Sequence, residues 1–299
     1  MLGLTLALLA ALFTSLTTIF AKAGIKNVNS NFATLFRTFI VIICSLLLCL
    51  ITKTDLSLSN YDQTNILFLV LSGISTGLSW LCYYKALKMS SVNKVAPIDK
   101  SSFILTSILF LIFFFDQTTK NGNVLTIIML FLSMLLMLIG TLLMVDNNNV
   151  KDKKQKNTWV VYAILSSVFA SLVSLFVKIG LKGIPSNAGT FYRTIIVFFF
   201  ALAIVIARKE YKGTSKVNKS SWLILTLSGF ATGGAWLCEY AALSIDSVSP
   251  IMVNSIGKLS ILLTMLFSFL VFKEKFTKRS ILGLILLTLG IILIIIFSL

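Results

Sequence analysis

The stretch Phe20–Thr38, FAKAGIKNVNSNFATLFRT, is written a second time at Phe176–Thr194, FVKIGLKGIPSNAGTFYRT, with nine of nineteen positions identical at a constant offset of 156. Lys22/Lys178, Gly24/Gly180, Lys26/Lys182, Ser30/Ser186, Asn31/Asn187, Thr34/Thr190 and Arg37/Arg193 coincide. At the same offset, Leu71–Leu87 (LSGISTGLSWLCYYKAL) matches Leu227–Leu243 (LSGFATGGAWLCEYAAL) at eleven of seventeen positions. Apolar low complexity mimics itself easily, but Lys, Arg, Trp and Asn at fixed register do not arise that way. The chain is a duplicated half, and its function is expected where the halves meet.

Composition sets the solvent. Of 299 residues 57% are hydrophobic and 12% charged, with a mean hydropathy of +0.98. That much apolar surface cannot be kept from water in a soluble chain of this length, so the protein is expected to cross a membrane many times. The net charge of +16 lies in short loops and not in a basic domain, which speaks for membrane orientation and against nucleic acid. There is no His, so the commonest metal ligand and proton shuttle are missing. Cys44, Cys49, Cys82 and Cys238 lie inside apolar runs without metal-type spacing and read as packing residues. No cofactor, metal site or catalytic group is expected.

About twenty apolar residues cross the hydrocarbon as a helix. On that ruler ten spans are expected, at 2–23, 31–51, 65–88, 92–115 and 123–145, then 158–181, 187–208, 220–243, 248–272 and 280–298. The polar run Asp146–Asn157 (DNNNVKDKKQKN) reads as a linker between a first repeat, 1–145, and a second, 158–299. Five spans per repeat is odd, so the two repeats are inserted upside down relative to each other. The loop after span two carries Lys53, whereas its counterpart carries Arg208, Lys209, Lys212, Lys216 and Lys219. Stripping cations from one copy of a loop and loading the other is what two opposite orientations require. Summed over the loops, seventeen Lys and Arg fall on one side and four (Lys53, Lys120, Lys178, Lys182) on the other, which places both termini outside.

The polar residues within spans matter most, because each is costly in hydrocarbon unless it faces protein or water. Lys100, in KVAPIDKSS, pairs with Lys258, in NSIGKLS, near the middle of span nine. Asp99 precedes Lys100 and points about 100° away around a helix, a poor partner for that lysine. Pro97 and Pro250 are expected to interrupt their spans and free backbone carbonyls. Arg37 and Arg193, two turns into spans two and seven, either snorkel to an interface or face the repeat interface. Lys22 and Lys178, at span ends, are expected to snorkel. Glu239 in span eight is an acid whose counterpart is Tyr83. Trp80/Tyr84 and Trp236/Tyr240 are spaced i,i+4, one helix face each, and either line a pocket or belong to an interfacial belt. Gly73/Gly77 and Gly229/Gly233 let helix backbones approach closely, as packing residues or as hinges.

Leu71–Ser102 (LSGISTGLSWLCYYKALKMSSVNKVAPIDKSS), an acid trailing spans four and nine (Asp116, Glu274) and a closing Gly-bearing span resemble the EamA family of the drug/metabolite transporter superfamily. The resemblance covers both halves. It implies an all-α integral membrane fold, two inverted five-helix repeats around a central cavity formed mainly by the first four helices of each half. Relatives of the family are often described with cytoplasmic termini, opposite to the charge count. The small multidrug resistance relatives exchange protons for cationic drugs through a Glu in their first helix; spans one and six here hold no acid.

The expected function is secondary transport by alternating access across the plasma membrane, in a bacterium. The cation-rich set Lys100, Lys258, Arg37 and Arg193, against Asp99 and Glu239, favours a small anionic or zwitterionic metabolite such as an amino acid. Translocation of a lipid phosphate and an aromatic cage for quaternary amines are the alternatives. The partners are then the substrate, the bilayer and a coupling ion, proton or sodium, between which the sequence does not choose. The charge count makes a topological prediction: cysteines introduced at Lys153 and Lys212 are labelled only from the cytoplasm and one at Thr54 only from outside. The reverse pattern would refute the orientation and leave the duplication untouched.

Overall fold

The computed structural model describes residues 1–24, 28–90, 95, 98–99, 101–119, 123–144, 158–211, 218–273 and 276–298. Lys100, Pro97, Glu274 and the linker 146–157 lie outside them. The described helices are α1 (Leu2–Gly24), α2 (Ser30–Ile51), α3 (Gln63–Met89), α4 (Ser102–Phe113), α5 (Phe115–Thr119), α6 (Val124–Met144), α7 (Thr158–Gly180), α8 (Ser186–Ala207), α9 (Lys219–Leu243), α10 (Pro250–Gly257), α11 (Leu259–Phe272) and α12 (Lys278–Ser298). Among the described residues nine segments are long and apolar enough to cross a membrane, one of them the α10–α11 run, and Ser102–Phe113 is a shorter apolar helix. The protein is an all-α, multi-pass membrane protein.

The helices show which solvent they meet. On α6, Leu125, Ile128, Phe131, Leu135 and Ile139 are exposed while Ser133, Met137, Gly140 and Thr141 are buried. Water outside would forbid that arrangement; lipid requires it. Lipid also removes the hydrophobic drive between helices, leaving close packing and hydrogen bonds to hold them together. The inward face of α1 is accordingly Gly3, Ala7, Ala10, Ala11 and Ser15.

The chain divides into two compact units, each drawing on both halves of the sequence: 1–74, 176–245 and 256–274 in one, and 75–175, 246–255 and 275–299 in the other. In the first, α1 packs on α9 and α11, and α2 packs on α8 and α9. In the second, α6 packs on α12.

Contacts within the first unit come in pairs with the halves exchanged. A Cβ on Gly73 would stand 2.7 Å from the Cβ of Ile196, and one on Gly229 would stand 2.7 Å from the Cβ of Ile40. The offset of 156 carries Gly73 to Gly229 and Ile40 to Ile196. Likewise Gly24 lies against Leu225 and Gly180 against Leu69. The Asn31 amide donates to the Glu210 carboxylate at 2.6 Å, and the Asn187 amide to the Thr54 hydroxyl at 2.7 Å. Just past α2 and α8, Lys53 and Lys209 are both left-handed, at φ 51° and 55°. In the second unit a Cβ on Gly140 would meet the Gly283 carbonyl at 2.5 Å, and one on Gly290 would meet the Ser133 carbonyl at 2.8 Å.

Two sequence expectations need correction. Pro250 does not interrupt its span; it is the first residue of α10, where its missing N–H is an orphan anyway. The break comes after Gly257, at Lys258, which forms the N-cap of α11. Span four does not end at 115 either: α4 stops at Phe113, and α5 carries the chain to Thr119. Gly233 is a packing residue, with Cys44 Cβ 3.1 Å from where its own Cβ would be.

The glycines allow a graded test. At Gly140 the obstructing atoms are backbone, the Gly283 carbonyl and the Leu287 nitrogen at 2.7 Å, while at Gly257 no atom of the described residues lies within 4 Å. Gly140→Ala should lower stability by roughly 1–3 kcal/mol, the ordinary cost of overpacking. Gly257→Ala should leave it unchanged or raise it by up to about 1 kcal/mol through helix propensity. Thermal unfolding in detergent measures both, and equal effects would refute the close α6–α12 approach.

Candidate functional site

Arg193 is a buried, bonded and stacked charge in the first unit. It lies two turns inside α8 with 2% of its surface exposed. Its Nε donates to the Ser72 hydroxyl at 3.0 Å. Its guanidinium carbon stands 4.8 Å from the Trp236 ring centre and 5.3 Å from that of Tyr240. The i,i+4 spacing of those two rings on α9 puts both faces on the same side, so one planar cation meets both. Gly73 beside Ser72 brings α3 close enough for the Ser72 hydroxyl to reach Nε; a Cβ there would come to 3.3 Å from the Arg193 carbonyl. A desolvated cation–π contact is worth about 2 kcal/mol, which offsets part of the cost of taking the guanidinium out of water. Arg193 therefore does not snorkel to solvent but is held inside the helix packing, with Trp236 and Tyr240 against it. Its repeat mate Arg37 is partly buried and reaches the Thr34 hydroxyl on its own helix at 3.4 Å.

Glu239 precedes Tyr240 on α9 and is partly buried. Lys258 stands where α10 gives way to α11. A broken helix frees amides at the start of the next one, a favourable place for negative charge. Among the described residues no atom lies within 4 Å of where a Cβ on Gly257 would stand. The first unit thus gathers Arg193, Trp236, Tyr240, Glu239 and Lys258.

The second unit holds Trp80, Tyr84 and Asp99. Trp80 is partly buried on α3, and the Tyr83 and Tyr84 rings lie edge to face at 5.9 Å. Asp99 accepts a hydrogen bond from the Ser166 hydroxyl at 2.8 Å. Ser79 on α3 and Ser166 on α7 also reach each other's carbonyls, both at 3.1 Å. Among the described residues no three His, Cys, Asp or Glu side chains converge as a metal site.

Sequence reasoning passed over Ser72, Ser79 and Ser166, because a lone serine in an apolar helix carries little signal. Ser72 stood inside the repeated LSG block, where its mate Ser228 donates to the Thr17 carbonyl at 3.0 Å. Lys178 is a correction. It is 5% exposed, and its ammonium donates to the Leu243 carbonyl at 2.7 Å, at the C-terminal end of α9, where a cation meets the negative end of the helix dipole.

A multi-pass helical membrane protein that keeps Arg, Lys and Glu within its spans has the makings of a transporter. A family model for the EamA-like transporter family matches residues 1–139 and 157–296, and the chain belongs to that family. A relative from Sinorhizobium sp, described as an uncharacterized transporter in the cobO 3' region, is 34% identical over 140 residues, covering 47% of this chain and 98% of its own. A crystal structure of a protein 12% identical to this one matches it with a TM-score of 0.76, over 97% of this chain and 95% of its own, a likeness of fold. The protein is a membrane transporter.

Arg193→Lys keeps the charge but loses the flat stacking surface and the Nε donor. It should lower the unfolding temperature, and a cycle with Tyr240→Leu should return a coupling of about 1 kcal/mol. Additive effects of the two changes would show that the ring and the guanidinium do not interact.

Proposed function

We propose that the protein moves a small zwitterionic metabolite, amino-acid-like, by alternating access between two inverted five-helix repeats, residues 1–145 and 158–299, joined by the linker 146–157. Support for the repeats comes from the mirrored contacts: Gly73–Ile196 with Gly229–Ile40, and Asn31–Glu210 with Asn187–Thr54. Such exchange of halves is what a two-fold axis in the membrane plane produces.

The observation that carries the substrate reading is a buried cation, Arg193, stacked on Trp236 and Tyr240 of the helix that also bears Glu239, with a second cation, Lys258, at a helix break in the same unit. The excess positive charge suits a substrate carboxylate, and Glu239 suits an ammonium. Lys258, at the break, is the residue for the carboxylate; Arg193, stacked and bonded to Ser72, holds the framework and contributes field. A quaternary-amine cage is disfavoured in this copy, because Arg193 already covers Trp236 and Tyr240.

The test is a thermal-shift screen of the purified protein against the twenty amino acids, glycerol phosphate and choline. Saturating ligand stabilises the folded state by about 2.7 kcal/mol at a hundred times Kd. An amino acid should raise the unfolding temperature, and Lys258→Met should remove that shift while unfolding at the temperature of the unliganded wild type. A shift with glycerol phosphate alone would favour the lipid-phosphate alternative, and one with choline alone the cage. A shift that survives in Lys258→Met would remove Lys258 from the site.

A further inference from the structure

Exposed lysines close the lipid-facing stripes of α8 and α9 at one end of the first unit. On α9, Lys219, Leu223, Leu227 and Phe230 follow one another at helical spacing on one face, and all four are exposed. On α8, Phe199 and Ile206 are exposed, and Lys209 stands exposed just past the end of the helix. The two lysines belong to one patch. Glu210, next to Lys209, takes the Asn31 amide at 2.6 Å, and the Trp222 ring lies 6.0 Å from that of Phe32. The end of α8 and the start of α9 therefore flank the first turn of α2.

The repeat supplies the same scaffold at the other end of the unit without the charge. The offset of 156 carries Lys219 to Gln63, Leu223 to Leu67 and Lys209 to Lys53. Gln63 again heads a helix, Leu67 is again exposed, and Lys53 shares the left-handed backbone of Lys209. At that end the exposed Lys53 and Lys182 are matched by the exposed Asp55 and Asp62. At the α8–α9 end Lys22, Lys209, Lys219 and Lys273 are exposed and Arg208 partly so. The acid described there is Glu210, whose carboxylate already takes the Asn31 amide and lies 4.0 Å from Arg208.

We propose that this end of the first unit binds an anionic phospholipid, its headgroup at Lys209 and Lys219 and its acyl chains along the exposed stripes of α8 and α9. The chemistry selects the ligand. A neutral lipid covers the apolar side chains and leaves the lysines unanswered, while a free anion meets the lysines and gains nothing from the stripe. An anionic lipid does both. Lysine at a span end lays its methylenes along the chains and keeps its ammonium at headgroup level, and each such lysine strengthens binding about fivefold. The positive, N-terminal ends of α2 and α9 lie at the same end and add to the attraction. Such a lipid is held from the bilayer and not carried across it, and its binding does not depend on which metabolite is transported.

Thermal unfolding of the full-length protein in neutral detergent, titrated with phosphatidylglycerol, phosphatidylcholine or inorganic phosphate, tests the patch. Phosphatidylglycerol should raise the unfolding temperature at concentrations where the other two do not. Lys209→Asn combined with Lys219→Gln should weaken its apparent affinity roughly 25-fold; Asn is chosen because it tolerates the left-handed backbone. The matched change at the other end, Lys53→Asn with Lys182→Gln, should leave the affinity unaltered, and so should Lys258→Met. If the Lys209/Lys219 double variant does not fold, the two single variants, each about fivefold weaker, decide the matter. An equal shift with phosphatidylcholine would show binding through the apolar stripe alone, and an equal shift with inorganic phosphate a site for free anions; either overturns the proposal. So does the absence of any shift, an equal loss from both lysine pairs, single variants that bind like the wild type, or a loss in Lys258→Met, which would place the lipid at the helix break.

Discussion

A charge within a spanning helix has no water to fall back on, and the arrangement around Arg193 follows from that constraint. Its guanidinium needs a donor's partner and a polarisable surface, and it finds Ser72 on α3 and the faces of Trp236 and Tyr240 on α9. Meeting that need brings three helices to one point. Gly73 has no side chain because Ile196 and the Arg193 carbonyl occupy the place where one would be. The small-residue seam and the buried cation are therefore one device, in which close approach satisfies the charge and the satisfied charge fixes the approach.

The same economy recurs wherever a helix end or an interruption leaves backbone groups unpaired. The Lys178 ammonium meets the Leu243 carbonyl at the end of α9. The α10–α11 break falls at Lys258. One cation thus caps a helix end, and another stands at the N-cap of α11.

The mirrored contacts carry a consequence for the two halves. Gly73–Ile196 and Gly229–Ile40 are equivalent in shape, yet the polar pairs built on the same scaffold are not. Asn187 meets the neutral Thr54, whereas Asn31 meets the anionic Glu210, which also lies 4.0 Å from Arg208. The packing is alike at the two sets of positions, and the chemistry built on it differs.

The hydropathy of the spans, the offset of 156 and the shared Lys, Arg and Trp were enough to establish an all-α membrane protein built from a duplicated half. These are local or periodic properties, so one dimension suffices to read them. The i,i+4 pair Trp236/Tyr240 and the glycine seam were legible for the same reason. What covers that pair was not, because Arg193 comes from another helix and its choice of Trp236 and Tyr240 over the interface depends on how α8 meets α9. Nor could the sequence distinguish Arg193 from Arg37, or show that Lys178 is buried while Lys22 is exposed, since each pair occupies equal positions in the repeat. Pro250 pointed to a break, but proline at a first helical turn costs nothing, and the break came at Lys258. Sequence determines which polar groups the membrane must tolerate. Only the tertiary structure decides which neighbour makes each of them tolerable, because that neighbour lies dozens of residues away and is chosen by packing.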